Sequence, residues 1–257
     1  MIVMENVYLC IFFLFGAIMG SFYHVVATRL SNDESIVFPG SHCPKCGHSL
    51  KWYENIPIIS YLILRGKCSG CHSKIPISYF IVEIITGLLF SVCYHSFGLC
   101  LDLVVALVFT SSLIIVIVSD IEYMIILDEV LMFATVVILL IYLFFYGIDV
   151  TCLYFLSGVG SFLAMYSVKL LGDKLFGKES LGGGDIKLMF LFGIVIGFPM
   201  AICTIFLATF IAFPISLIIL FSDRENIIPF GPFLSMAAIL VMILKIDFYA
   251  IVDFLVR

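Results

Sequence analysis

Two kinds of side chain stand in arrangements that could do chemistry in this sequence. The first is cysteine: Cys43-Pro-Lys-Cys46-Gly and, after a gap, Cys68-Ser-Gly-Cys71 form two C-x-x-C knuckles. Thiolates two residues apart on a tight turn can share one ion at a Zn–S distance of about 2.3 Å, and two such turns complete the closed tetrahedron of a structural zinc site. A four-sulfur shell leaves no open coordination position, so the expected zinc holds its own segment together and takes no part in catalysis. A pair of redox-active dithiols and four unpaired thiols are the competing readings. His42, His48 and His72 stand beside the knuckles and leave a mixed Cys and His shell open. Cys10, Cys93, Cys100, Cys152 and Cys203 fall in apolar runs, where a thiol behaves as a small hydrophobe.

The second kind is carboxylate. Asp120 follows the apolar run 113–118, and Asp185 follows Gly182-Gly183-Gly184. An ionisable group at the edge of an apolar span tends to face protein or a water-filled cavity, because facing lipid is costly. Read singly, each aspartate could merely mark where a helix meets water. The triglycine changes that reading: it removes every side chain ahead of Asp185 and lets the backbone approach another chain closely or adopt positive φ, so that a peptide strand could lie against it. Two carboxylates sharing one proton can activate water as a general base while protonating an amide, which is peptide hydrolysis with neither a metal nor a nucleophilic side chain.

The elements that must position these groups are membrane helices. Hydrophobic residues make up 63% of the 257-residue chain, charged residues 12%, and the mean hydropathy is +1.24, which excludes a water-soluble domain of this length. A span needs about 20 mostly apolar residues, and the runs 7–28, 77–97, 101–119, 130–146, 152–171, 186–197, 200–221 and 233–246 supply about eight, the sixth being short. The first run lacks the basic opening and small-residue cleavage site of a secretion signal and is expected to be a helix that stays. The expected fold is therefore an all-α polytopic bundle embedded in lipid. Residues 1–30 form its first transmembrane helix, 31–76 a polar tetracysteine insertion, and 77–257 the remaining bundle.

In this threading Arg29, Lys45, Lys51, Arg65, Lys67, Lys74, Lys169, Lys174, Lys178, Lys187 and Arg224 fall on one side, and Lys245 and Arg257 on the other. Cytoplasmic loops retain Lys and Arg. The N-terminus is thus expected outside, with the insertion and both aspartates on the cytoplasmic side of the inner membrane. Pro199 is expected at a helix end and Pro214 at a kink.

At this point the residues carry a family resemblance over nearly the whole chain. The sequence is similar to the bacterial type IV prepilin peptidases, a G-x-G-D family of membrane aspartic proteases. The matching stretches are Gly20-Ser21-Phe22, Arg29-Leu30, Cys43-Pro-Lys-Cys46, Trp52-Tyr53-Glu54-Asn55-Ile56-Pro57, Ser60-Tyr61 and Gly66-Lys67-Cys68 with Cys71. They continue through Tyr79, Val82-Glu83, Thr86-Gly87, Asp120-Ile121, Gly182-Gly183-Gly184-Asp185-Ile186-Lys187 and Pro229-Phe230-Gly231-Pro232-Phe233. G-x-G-D alone would also suit presenilin-like proteases, which lack the tetracysteine insertion.

The resemblance implies that Asp120 and Asp185 are the catalytic aspartates, supported by Gly182, Gly183, Gly184 and Lys187, with Glu83 and Asp128 as further candidates. It implies cleavage of the basic leader of prepilins or pseudopilins after a glycine, followed by methylation of the new N-terminus from S-adenosylmethionine. The expected partners are these substrates and the lipid bilayer, and no nucleic acid. The chain departs from the family at Leu127-Asp128, where Pro commonly precedes the acidic residue, and at His24, Ser31 and Phe80; none of these removes a carboxylate. A peptidase without methyl transfer, or an ion-coupled transporter using the same aspartates, is the alternative. Glu122, Asp128 and Glu129 could meet a basic leader by charge attraction.

Overall fold

The computed structural model describes residues 2–177, 179, 181–220, 229–246, 248 and 253. Lys178, Arg224 and Arg257, three of the basic residues used to orient the chain, lie outside the described residues. Among the described residues there are helices and loops but no strand. The helices are α1 (Ile2–Ser31), α2 (Ile59–Ile63), α3 (Ile77–Phe97), α4 (Leu101–Tyr123), α5 (Asp128–Tyr146), α6 (Ile148–Phe176), α7 (Gly183–Ile196), α8 (Phe198–Leu220) and α9 (Gly231–Ile243), with a one-turn 3-10 helix at Trp52–Asn55. Six of them, α1, α3, α4, α5, α6 and α8, are long and apolar enough to cross a membrane. The chain is a multi-pass membrane protein.

The sixth and eighth expected spans are the short helices α7 and α9, of 14 and 13 residues. At 1.5 Å per residue they reach about 20 Å, less than the ~30 Å of a hydrocarbon core. Burial explains why they are nevertheless apolar all round. Leu188, Met189, Leu191, Phe192 and Ile194 of α7, and Leu234, Ala237 and Ala238 of α9, are enclosed by protein. A helix that is hydrophobic on every face belongs in a core.

The chain divides into two compact units, residues 1–103 and 104–257. In the first, α1 and α3 pack antiparallel through small residues. A Cβ on Gly16 would stand 2.7 Å from the Thr86 carbonyl oxygen, and one on Gly20 would stand 2.8 Å from the Thr86 hydroxyl. Only glycine admits so close an approach, which is how helices associate where lipid supplies no hydrophobic drive. Aromatic pairs flank this seam, with Phe12 stacked on Tyr94 at 4.9 Å and His24 on Tyr79 at 3.7 Å.

In the second unit α7 is the centre. It packs on α6 where Gly193 meets the Ser157 carbonyl, and where a Cβ on Gly158 would stand 2.9 Å from the Phe190 carbonyl oxygen. Phe109 of α4 meets Phe192 edge-on at 5.7 Å. The α8 helix presents Phe206, Phe210, Phe213 and Ile218 outward, as a lipid-facing helix does. Pro199 falls in its first turn, where the lost N–H costs nothing, and Pro214 lies inside it.

Candidate active site and metal centre

The candidate metal centre is built by two near-identical turns. In the first, Cys43 N–H donates to the His48 carbonyl and Gly47 N–H to the Cys43 carbonyl; in the second, Cys68 N–H donates to Ser73 and His72 N–H to Cys68. An antiparallel bridge closes each turn, His42 with Ser49 and Lys67 with Lys74. Gly47 has φ +71°, and His72, its counterpart in the second turn, has φ +56°. The four Sγ atoms of Cys43, Cys46, Cys68 and Cys71 all lie within 4.8 Å of one another, with Cys43 3.9 Å from Cys71 and Cys46 3.9 Å from Cys68. A tetrahedron with bonds of about 2.3 Å has edges of about 3.8 Å, so the residues present fit a zinc ion. No histidine joins this cluster.

Two of the four thiols are drawn toward the thiolate form. The backbone N–H groups of Cys46 and Lys45 draw the Cys43 thiol down to about 6, and the Ser73 hydroxyl and backbone lower Cys71. Against the pull of the His48 backbone N–H, the Cys71 sulfur and burial push Cys46 up to about 11. Four sulfurs this close repel one another as thiolates until a positive ion stands among them.

Glu54 ties the two turns together. Its carboxylate accepts the Lys51 N–H at 2.8 Å and lies 3.2 Å from His48 Nε2. The buried Ser69 hydroxyl, which has no hydrogen bond of standard geometry, sits against the same carboxylate. Chiefly through Ser69, then Lys51 and His48, Glu54 is held down at about 2 and stays ionised. Groups that orient the ligands commonly contribute 10–100-fold in metal affinity, so Glu54→Gln should weaken zinc binding by roughly that factor in a chelator competition.

The second site lies wholly in the second unit. Asp120 sits one turn before the end of α4, and Asp185 sits in the first turn of α7, where the helix dipole favours a carboxylate. Both are buried, at 6% and 7% exposure, and both line a cavity of about 530 Å³. They are close enough to interact electrostatically. The Gly231 N–H at the start of α9 donates to the Asp120 carboxylate. Asp185 Oδ1 is buried without a hydrogen-bond partner, an uncommon state for a carboxylate oxygen in a folded protein. Around these two aspartates the cavity is lined by Met124, Ile126, Asp128, Leu181, Gly182, Gly183, Gly184, Lys187, Pro229 and Phe230.

The triglycine enters this site by close approach; none of its residues has positive φ. A Cβ on Gly184 would stand 2.7 Å from the Ile126 side chain, whereas one on Gly183 would meet open space. Gly184 thus lets α7 seat against the 124–127 turn, and Gly183 lines the cavity with no side chain. Lys187 Nζ donates to Asp128 Oδ2 at 2.5 Å, both half-exposed, so Asp128 is neutralised by its neighbour and offers a basic peptide less than an unpaired carboxylate would. Glu83 belongs to the first unit, where it accepts the Ile58 N–H at 2.6 Å.

Gly231 was part of a recognisable motif, yet its role is visible only here. A Cβ at this position would collide with Asp120 Oδ2. Gly231→Ala should displace the carboxylate, and a misplacement of about 1 Å can cost 10²-fold in rate. A cleavage assay on the folded variant checks this.

Comparison with known proteins agrees with this division of the chain. Residues 14–97 match the bacterial peptidase A24 N-terminal domain and residues 107–217 match the type IV leader peptidase family, with the break between them where the two compact units meet in sequence. The prepilin leader peptidase/N-methyltransferase of Bacillus subtilis (strain 168) is 34% identical over 235 residues, covering 90% of this chain and 92% of that protein. The chain belongs to the type IV leader peptidase family. Proteins of the same name from Myxococcus xanthus and Pseudomonas aeruginosa are 39% and 31% identical. Those alignments cover 70% and 87% of this chain, but only 54% of the Myxococcus protein against 86% of the Pseudomonas one. No solved structure matches. In this leader peptidase family member the two buried aspartates and the glycine-rich entry to α7 lie on one cavity, and the four-cysteine cluster lies in the N-terminal domain.

Proposed function

We propose that the chain is a membrane aspartic endopeptidase that removes the leader of prepilins or pseudopilins, with Asp120 and Asp185 as its catalytic pair. One observation carries the reading: two buried carboxylates from different helices share a cavity lined also by Gly182, Gly183 and Gly184, and a Cβ on Gly183 would meet open space. One carboxylate takes a proton from water as its oxygen attacks the scissile carbonyl carbon. The other, protonated, donates to the peptide, and collapse of the tetrahedral intermediate breaks the C–N bond and leaves an amine and a carboxylic acid. Asp120 is held in place by Gly231, and Asp185, with one oxygen unpartnered, is free to exchange a proton.

The excess of Lys and Arg on one side supports the inner membrane as the location, with the N-terminus outside and the aspartates at the cytoplasmic edge. A basic leader would then stay in the cytoplasm while its apolar helix lies in the bilayer. Zinc would hold the Cys43, Cys46, Cys68 and Cys71 turns and supply folding energy there. S-adenosylmethionine, the methyl donor that the family resemblance implies, would supply the methyl group for the new N-terminus. The described residues contain no strand–helix nucleotide unit to hold it, so its pocket is assigned to no residue.

The test is incubation of the protein in lipid vesicles with a purified prepilin, with and without S-adenosylmethionine, reading the product N-terminus by mass spectrometry. Cleavage after the leader glycine is expected, with a methyl group added only when the donor is present. An uncut substrate would overturn the reading, and a cut but unmethylated one would leave the peptidase alone.

A further inference from the structure

The stretch between the two metal turns contains a segment that the metal centre does not explain. From Pro57 to Leu64 no residue is charged, and the helix α2 within it exposes Ile59, Leu62 and Ile63 at 52%, 60% and 75%. Three adjacent aliphatic side chains facing water would be costly, and contiguous exposed apolar surface marks a contact site.

Two contacts fix where this segment lies. The Tyr61 ring stacks on Phe80 of α3 at 5.0 Å, and the Ile58 N–H donates to Glu83 of α3. Glu83 is six residues beyond the start of α3 at Ile77, or ~9 Å along the axis at 1.5 Å per residue. With 21 residues, α3 is about as long as a hydrocarbon core is thick. The backbone at Ile58 is therefore held beside the apolar length of a spanning helix. Ile77 and Ile81 of α3, on either side of Phe80, face outward as α2's aliphatic residues do.

At such a depth a backbone N–H without a partner is costly, and the Glu83 carboxylate supplies that partner. This accounts for a buried acid within a spanning helix. It also accounts for Ile58, a β-branched residue held at φ +64°, a strained backbone that persists only where its surroundings over-determine it. At the near end of the segment, Trp52 is 80% exposed beside Tyr53, and Lys51 Nζ lies 5.8 Å from the Tyr53 ring centre. Trp and Tyr with a basic neighbour are the side chains of the membrane–water interface.

We infer that residues 52–63 are a bilayer anchor: Ile59, Leu62 and Ile63 enter the lipid beside α3, Glu83 sets their depth, and Trp52 lies among the headgroups. The occupant of this face is lipid, because the face continues the outward surface of α3 and carries no charge that would choose a protein partner. The insertion is thus held against the membrane surface and does not hang free on its two connections.

Trp52 is the only tryptophan in the chain and reports on this directly. The full-length protein would be reconstituted in vesicles of phosphatidylethanolamine and phosphatidylglycerol, with lipids carrying a nitroxide at a shallow or a deep acyl position. Trp52 emission should be quenched by the shallow label and weakly by the deep one, and be protected from aqueous acrylamide. Glu83→Leu should shift the emission to the red and lose the lipid quenching, while Glu83→Gln, which keeps an acceptor for Ile58, should retain both. Quenching of wild-type Trp52 by acrylamide but not by labelled lipid would overturn the anchor. Replacement of lipid quenching by that of a nitroxide on an added prepilin peptide would give the face to substrate and overturn the lipid assignment. Unchanged lipid quenching in Glu83→Leu would remove Glu83 as the group that sets the depth.

Discussion

Asp120→Asn and Asp185→Asn should each still bind a prepilin substrate yet cleave it about 10²- to 10⁴-fold more slowly than the unaltered chain, the range by which a positioned acid or base accelerates a reaction. Asn is close in shape to Asp and keeps an oxygen for the Gly231 N–H at position 120, so α9 retains its contact with α4. It cannot take a proton from water or hold one for the leaving amine. In the proposed mechanism the two carboxylates act as one unit, so the double variant should be little worse than either single one. Cleavage is read as conversion of full-length to shortened pilin, and unchanged Trp52 emission and metal content confirm that each variant is folded. Equal cleavage by a folded Asp185→Asn protein would show that these aspartates are not the catalytic pair.

Removing the proposed zinc should have the other large effect. Structural zinc contributes roughly 10–16 kcal/mol of apparent binding free energy in small peptides at neutral pH, and the turns around Cys43 and Cys68 contain little apolar core to replace it. Cys43→Ser, or treatment with a strong chelator, should release the ion and open the insertion, detected as new proteolytic cuts between residues 31 and 76. Acid should do the same, and the sign follows from the thiols. Cys43 is drawn down to about 6 in the folded chain, so its thiolate persists above that pH and is lost as the pH falls through it, and the Ser73 hydroxyl and backbone lower Cys71 as well. The positive ion moves this release lower still. Zinc freed from the intact protein, followed with a chromogenic chelator, should therefore appear at or below about pH 6; release above pH 8 would show that the four sulfurs are not its ligands.

Much of this was legible in the chain itself because it depends on local pattern. Long apolar runs have to become helices in lipid, and each expected span is found as a helix within a few residues of its place. Cysteines two apart form a turn whatever surrounds them, so the four-sulfur cluster follows from spacing. Asp185 could be singled out because its glycines precede it in sequence.

Other features depend on residues far apart in sequence. An apolar run reads the same whether its neighbours are lipid or protein, so hydropathy could not say that α7 and α9 are enclosed core helices while α8 faces outward. A glycine in Phe-Gly-Pro signals a turn, but only the folded unit brings Gly231 against Asp120, more than a hundred residues earlier. The resemblance offered Glu83 only as a further site candidate, and its place beside the Ile58 N–H follows from how the insertion folds back onto α3. Composition and spacing determine which elements form and which residues can do chemistry, since these follow from solvent and local geometry. Which carboxylate is paired, which is left without a partner and which glycine lies against a carboxylate were decided by tertiary packing, because each depends on what another helix brings within a few ångströms.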